Sequence, residues 1–169
     1  MNRARWFALV VGLQVALLVG WAGYNEWNRA TAATILLETA PVDPRDLLRG
    51  DYMILSYKIS RVPLPPATRG AVRPGREIWV WLRQNGRFHE VVAAYWTEPA
   101  AAVGLTVVRG RTHDAGSGGM IRVDYDIEKY FVPEGKGRPE FKEMVVEATV
   151  SKTQRLGIKR LLLDGKPYP

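Results

Sequence analysis

The chain has no cysteine among its 169 residues. Disulfides, thiol catalysis and thiolate metal sites are therefore excluded, and the redox compartment stays open. Histidine occurs only at His89 and His113. His113-Asp114 sits in a Gly-Ser stretch with no third ligand at a recognisable spacing, so it reads as an exposed loop histidine and no metal or other cofactor is expected. No serine precedes Ser56. No glycine-rich phosphate loop follows a strand and opens a helix. The formal net charge is +7, yet the basic residues form no dense run and no nucleic-acid motif, so nucleic acid is not an expected partner. A basic balance of this kind suits an anionic membrane surface or an acidic partner. Disorder is excluded as well, because 47% of the residues are apolar, enough for one domain with a real core.

Long apolar runs are also scarce, with a single exception at the N-terminus. Residues 7–23 are apolar apart from Gln14. At 1.5 Å per residue, residues 6–24 span roughly 28 Å, close to the hydrocarbon thickness of a bilayer. Arg3 and Arg5 precede the run and hold the N-terminus on the cytoplasmic side. Trp6 at one end and Trp21, Tyr24 and Trp27 at the other are the rings expected at headgroup level. Ala30-Thr31-Ala32 resembles a signal-peptide cleavage site, but the apolar run is long for a signal peptide, and Glu26, Trp27 and Arg29 stand where a short neutral segment is usual. The expectation is a cytoplasmic tip and anchor over residues 1–29 and an extracytoplasmic domain over residues 30–169. The protein would then be single-pass in the plasma (inner) membrane, with the lipid bilayer as its first partner.

Beyond Arg29 the hydrophobic pattern has period two, broken by Gly, Pro and Asn, the signature of an all-β domain. Asn85-Gly86 between two alternating runs predicts a hairpin over residues 77–96. A two-residue turn there pairs Leu82 with His89, Val80 with Val91 and Ile78 with Ala93. The opposite face then carries Trp79, Trp81, Phe88, Val92 and Trp96, with Glu90 opposite Trp81. Such an aromatic face is either covered or kept for a partner. Met53, Leu55, Tyr57 and Ile59 alternate with a mostly polar set. Ile121, Val123, Tyr125 and Ile127 repeat that pattern. Runs at 34–38 and 106–110 precede these strands, and hairpins at 77–96 and 144–163 follow proline-rich connectors. The expected architecture is a β-sandwich or barrel of about eight strands behind one transmembrane helix. Its strands form either two similar four-strand halves or unrelated strand-loop-strand units.

Charge concentrates in two stretches. Asp43-Pro44-Arg45-Asp46 with Arg49-Gly50-Asp51-Tyr52 offers carboxylates beside guanidinium groups, a set able to shift one another's pKa values and to hold an anion or metal. The structural alternative is that Pro44 and Gly50 set turns and the side chains tie the loop to backbone groups. Glu128, Tyr130 and Glu134 lie in the second stretch, Ile127-Glu128-Lys129-Tyr130-Phe131-Val132-Pro133-Glu134-Gly135-Lys136-Gly137, which reads as a lid or carboxylate site, or as a strand end packing Tyr130 and Phe131 before a tight turn at Pro133 and Gly135. A serine-lysine peptidase needs a nucleophile between the anchor and Gly50-Asp51, where no serine stands. Ser56 and Lys58 share a strand face but lack an oriented base or oxyanion donors.

The stretch Gly50-Asp51-Tyr52-Met53-Ile54-Leu55-Ser56-Tyr57 resembles the naming motif of the bacterial GDYXXLXY family, literally at Gly50, Asp51, Tyr52, Leu55 and Tyr57. The Pro-Val-Asp-Pro-Arg-Asp before it and the Glu-Lys-Tyr-Phe-Val-Pro-Glu-Gly after it resemble the family too. That resemblance implies a membrane-anchored protein and brings no activity, cofactor or catalytic residue. The first functional expectation is non-enzymatic: a binding or accessory module for an envelope protein or a polytopic membrane protein. The alternative is a membrane-tethered hydrolase or ligand-binding enzyme that uses the charged loop 43–51.

Overall fold

The computed structural model describes residues 3–39, 52–65, 68, 72–114, 119–132 and 141–168. Two compact units result, Met1–Ala32 and Ala33–Pro169. The first is the helix α1, Arg3–Ala30. Its apolar side chains are exposed over residues 3–27, and over Arg3–Trp27 it is long and apolar enough to cross a membrane. The helix ends where the Thr31 amide and hydroxyl both donate to the Trp27 carbonyl.

The second unit is all β. Its strands are β1 Ala33–Glu38, β2 Tyr52–Ile54, β3 Arg61–Pro63, β4 Glu77–Asn85, β5 Phe88–Tyr95, β6 Leu105–Asp114, β7 Met120–Asp124, β8 Lys129–Phe131, β9 Met144–Val150, β10 Leu156–Leu163 and β11 Lys166–Tyr168. They form sheets in the orders β1-β9-β10-β11, β2-β8 and β3-β7-β6-β4-β5. Among the described residues no sheet closes into a barrel. One core serves all three sheets, with Leu37 of β1, Val80 of β4, Val108 of β6, Val123 of β7, Val146 of β9 and Leu161 of β10 fully buried. The two alternating segments behave as their pattern dictates. Met53, Leu55, Tyr57, Ile59, Ile121, Val123, Tyr125 and Ile127 are all buried. Ser60 departs from the alternation and is buried, because a 3-10 turn at Lys58–Ser60 rotates the chain between β2 and β3.

The repeat is real in the register and larger than four strands per half. Tyr52↔Phe131, Met53↔Tyr130 and Ile54↔Lys129 pair β2 with β8. Adding 68 to the first number and subtracting 68 from the second gives Met120↔Pro63, Ile121↔Val62 and Arg122↔Arg61, which are the β7–β3 pairs. The same operation relates two buried hydrogen bonds. The Tyr57 hydroxyl donates to the Ile127 carbonyl at 2.6 Å, and the Tyr125 hydroxyl donates to the Ile59 carbonyl at 2.8 Å. Both hairpins also carry a bulge, leaving Val92 unpaired in β5 and Lys159 unpaired in β10, one position off strict equivalence. Each half therefore has five strands, β1–β5 and β6–β10, with β11 added at an edge. The halves are interleaved: β1 pairs with β9 of the second half, and β6 pairs with β4 of the first.

The first hairpin differs from expectation in register. Gly86 and Arg87, not Asn85 and Gly86, form the turn, and Asn85 pairs with Phe88. Gly86 adopts φ +59° while Arg87 keeps a negative φ, the pattern of a type II′ turn, which demands glycine at the first central position only. Leu82 thus faces Val91. Past the bulge, Trp81 faces Ala93 and Trp79 faces Tyr95. Gly110 in β6 marks the tightest crossing. A Cβ there would lie 2.5 Å from Val123 Cγ1 and 2.8 Å from the Asp124 carbonyl oxygen.

Candidate functional site

Two segments carry the charged stretches, residues 40–51 and 133–140, and the structure pairs the residues that flank them. Thr39 directly follows β1, and both its amide and its hydroxyl donate to the Met144 carbonyl, the latter at 2.8 Å. Tyr52 is the cross-strand partner of Phe131. The first segment therefore leaves beside the point where the second returns, and returns beside the point where the second leaves. Asp43, Arg45, Asp46, Arg49, Asp51 and Glu134 themselves lie outside the described residues.

The described side chains at this junction are mostly aromatic and basic. Phe131 is 75% exposed and meets Tyr52 edge to face, with centroids 6.3 Å apart. The Lys129 ammonium stands 5.5 Å from the Tyr52 ring, within cation–π range. Alternation in β8 turns Tyr130 the other way. It packs against the core, and its hydroxyl donates to the Tyr168 carbonyl at 3.4 Å. Glu143, just before Met144, forms an exposed ion pair with Arg87. The sequence pattern packs Phe131 with Tyr130 at the strand end; the structure leaves Phe131 exposed instead, because the alternation around Tyr130 places it and Lys129 on the outer face.

Glu128 has a structural role. Its Oε1 accepts the Tyr125 amide at 2.6 Å, and its own carbonyl accepts the Leu55 amide at 2.7 Å. Burial pushes the carboxyl above its ordinary range. Backbone hydrogen bonds oppose that rise, while Asp124 and Asp126 add to it. Burial, reinforced by Glu128, likewise pushes the Tyr57 and Tyr125 hydroxyls upward, so both remain neutral donors. Leu55 and Tyr57 of the opening motif are thus packing residues, and Tyr52 is its outward-facing member.

The other candidates are dispersed. Trp79 and Trp81 of β4 share the outer face of the hairpin with Tyr95 of β5, whose ring lies 4.9 Å from that of Trp81. Phe88 shares that outer face at the turn, beneath the Arg87 guanidinium. Trp96 does not belong to this face. The bulge at Val92 reverses the alternation, so Trp96 packs against the core and donates from Nε1 to Thr68 Oγ1 at 2.9 Å. His89 points inward, where burial lowers its pKa against the opposing effect of the Leu36 backbone. The His113 ring contacts Asp124 Oδ2 at 2.7 Å through Nδ1. Lys58 pairs with Glu38 at 2.6 Å rather than with Ser56. Among the described residues, no three His, Asp or Glu side chains converge as a metal site.

Fold and junction together define an all-β domain behind one apolar helix, with two signature segments brought side by side. The chain belongs to the GDYXXLXY family: the model described as GDYXXLXY protein matches residues 14–163. No curated protein and no solved structure matches it.

Proposed function

We propose that this protein is a membrane-anchored binding or accessory module of the bacterial envelope. Its N-terminus lies in the cytoplasm, α1 crosses the inner membrane, and the β domain stands outside. It engages an envelope protein or a polytopic membrane protein through the surface bordered by Tyr52, Lys129 and Phe131. The observation that carries this reading is the pairing of Tyr52 with Phe131 beside that of Thr39 with Met144, which joins the flanks of both charged segments. An exposed aromatic next to a cation has the composition of a binding hot spot.

The test is site-specific photo-crosslinking in intact cells. A photoreactive residue at Phe131 should give one adduct of defined mass, abolished by Arg45→Ala with Asp46→Ala and retained in Lys58→Ala. Absence of an adduct at Phe131, together with one from the outer face at Trp79, refutes this placement of the surface.

A further inference from the structure

The end of β1 opposite the signature segments carries a second surface. Ala33 pairs with Val150, the last residue before the β9–β10 turn. That turn, residues 151–155, is closed by the Ser151 amide donating to the Arg155 carbonyl at 2.9 Å. It exposes Lys152 and Arg155. Its Gln154 carbonyl accepts the Arg109 amide at 2.7 Å, and its Gln154 side chain bonds Glu98. Glu98 opens the loop that joins the two halves, Pro99-Ala100-Ala101-Ala102-Val103-Gly104, which has no charged or hydrogen-bonding side chain. Ala100 and Ala101 are exposed, and Val103 is fully exposed. A positive φ at Gly104 and the Leu105 amide bonded to the Ala102 carbonyl hold Val103 at the tip of the loop.

We propose that this rim is a second membrane contact, in which Val103 and its alanines enter the headgroup region and Lys152 and Arg155 meet anionic lipid. The proposal rests on the anchor reading above and extends it to the domain. Two facts select the bilayer as the occupant. Only Thr31 and Ala32 separate α1 from β1, and three peptide steps reach at most about 10 Å. Ala33, paired with Val150 at the foot of the turn, is therefore tethered within that reach of the end of α1. The rim also combines an uncharged apolar tip with flanking cations, the two terms that add in binding at an anionic interface.

The absence of cysteine makes the test direct. Val103→Cys and, at the far end of the domain, Lys166→Cys each give the full chain one site for an environment-sensitive fluorophore. The chains are reconstituted in phosphatidylcholine bilayers with and without phosphatidylglycerol and with a spin-labelled lipid as quencher. The Val103 label should shift to the blue and be quenched when phosphatidylglycerol is present, while the Lys166 label is not. Lys152→Glu with Arg155→Glu should weaken that quenching, by roughly fivefold in apparent affinity per charge. Equal quenching at the two positions, or quenching unchanged by the double variant, overturns the proposal while the chain still floats with the vesicles. A chain that fails to float overturns the anchor and this contact together.

Discussion

The crossed tyrosines give the sharpest test of the two-fold arrangement. Tyr57 and Tyr125 are each 1% exposed, and each hydroxyl donates to a buried backbone carbonyl two residues beyond the other tyrosine. Tyr57→Phe and Tyr125→Phe keep the ring packing and delete only the donor. A typical net hydrogen bond contributes about 1 kcal/mol, and a carbonyl stranded without water raises the cost to about 1–3 kcal/mol. At roughly 3–4 °C per kcal/mol for a domain of this size, each variant should melt roughly 3–12 °C lower. Because the two bonds are equivalent under the repeat, the two losses should agree within about 1 kcal/mol, and the double variant should depart from additivity as neighbouring residues do. Urea unfolding of the full chain in detergent, followed by circular dichroism of the β signal, reads all three. A loss below about 0.5 kcal/mol in either single variant refutes the reasoning, because a bond that matters in one half and not in the other is no product of the shared geometry.

Gly110→Ala should destabilise by about 1–3 kcal/mol or more, since its Cβ meets Val123 and the Asp124 backbone with no flexible side-chain end able to yield; thermal melting measures it. Glu128→Gln keeps the acceptor for the Tyr125 amide. The raised Glu128 pKa means that the folded state binds the proton more tightly than the unfolded chain, so wild-type stability falls as pH climbs through that raised value. The glutamine variant lacks this decline and should gain on wild type as the pH rises above the ordinary carboxylate range, and the opposite trend in urea titrations sinks the assignment. Lys58→Ala removes an exposed pair with Glu38, so its cost should stay below about 1 kcal/mol and shrink in high salt. Replacing residues 120–131 by the sequence of residues 52–63 should preserve a folded β signal. The same insert slipped by one residue should not, since the slip turns every core side chain outward.

Much of this fold was legible because alternation and burial coincide. Both tyrosine segments declared their inner faces, and the hairpins at 77–96 and 144–163 stand where turn residues placed them. The register of the first hairpin was not legible. Val91, Val92 and Ala93 are all small and apolar, so the pattern reads equally well with or without an extra residue, and the bulge that moves Trp96 inward leaves no compositional mark. Five strands per half were hidden for a different reason. Every pairing of β1, β2, β3 and β6 with its main partner joins one half to the other, and single-sequence patterns carry no information about contacts that far apart. At the candidate site, the two charged stretches were found from composition alone. The adjacency of their flanks needed the Tyr52–Phe131 ladder, and Phe131 reads as a packed residue because a strand end with two adjacent aromatics does not say which one faces out.

The interleaving also has a consequence for biogenesis. Ile35 pairs with Ala148, 113 residues later by subtraction of those numbers. As the chain emerges, β1 is complete and tethered just past the helix while its neighbour in the sheet is still unmade. Its apolar Ile35 and Leu37, and an entire edge of backbone donors and acceptors, wait for β9. Local strand pairing cannot relieve this: β4 closes at once with β5, but β1 has no partner before β9. Completion of this sheet therefore depends on distant contacts, the slow regime for β proteins. Premature termination anywhere before β9 strands an adhesive edge just past the helix rather than leaving a smaller working domain.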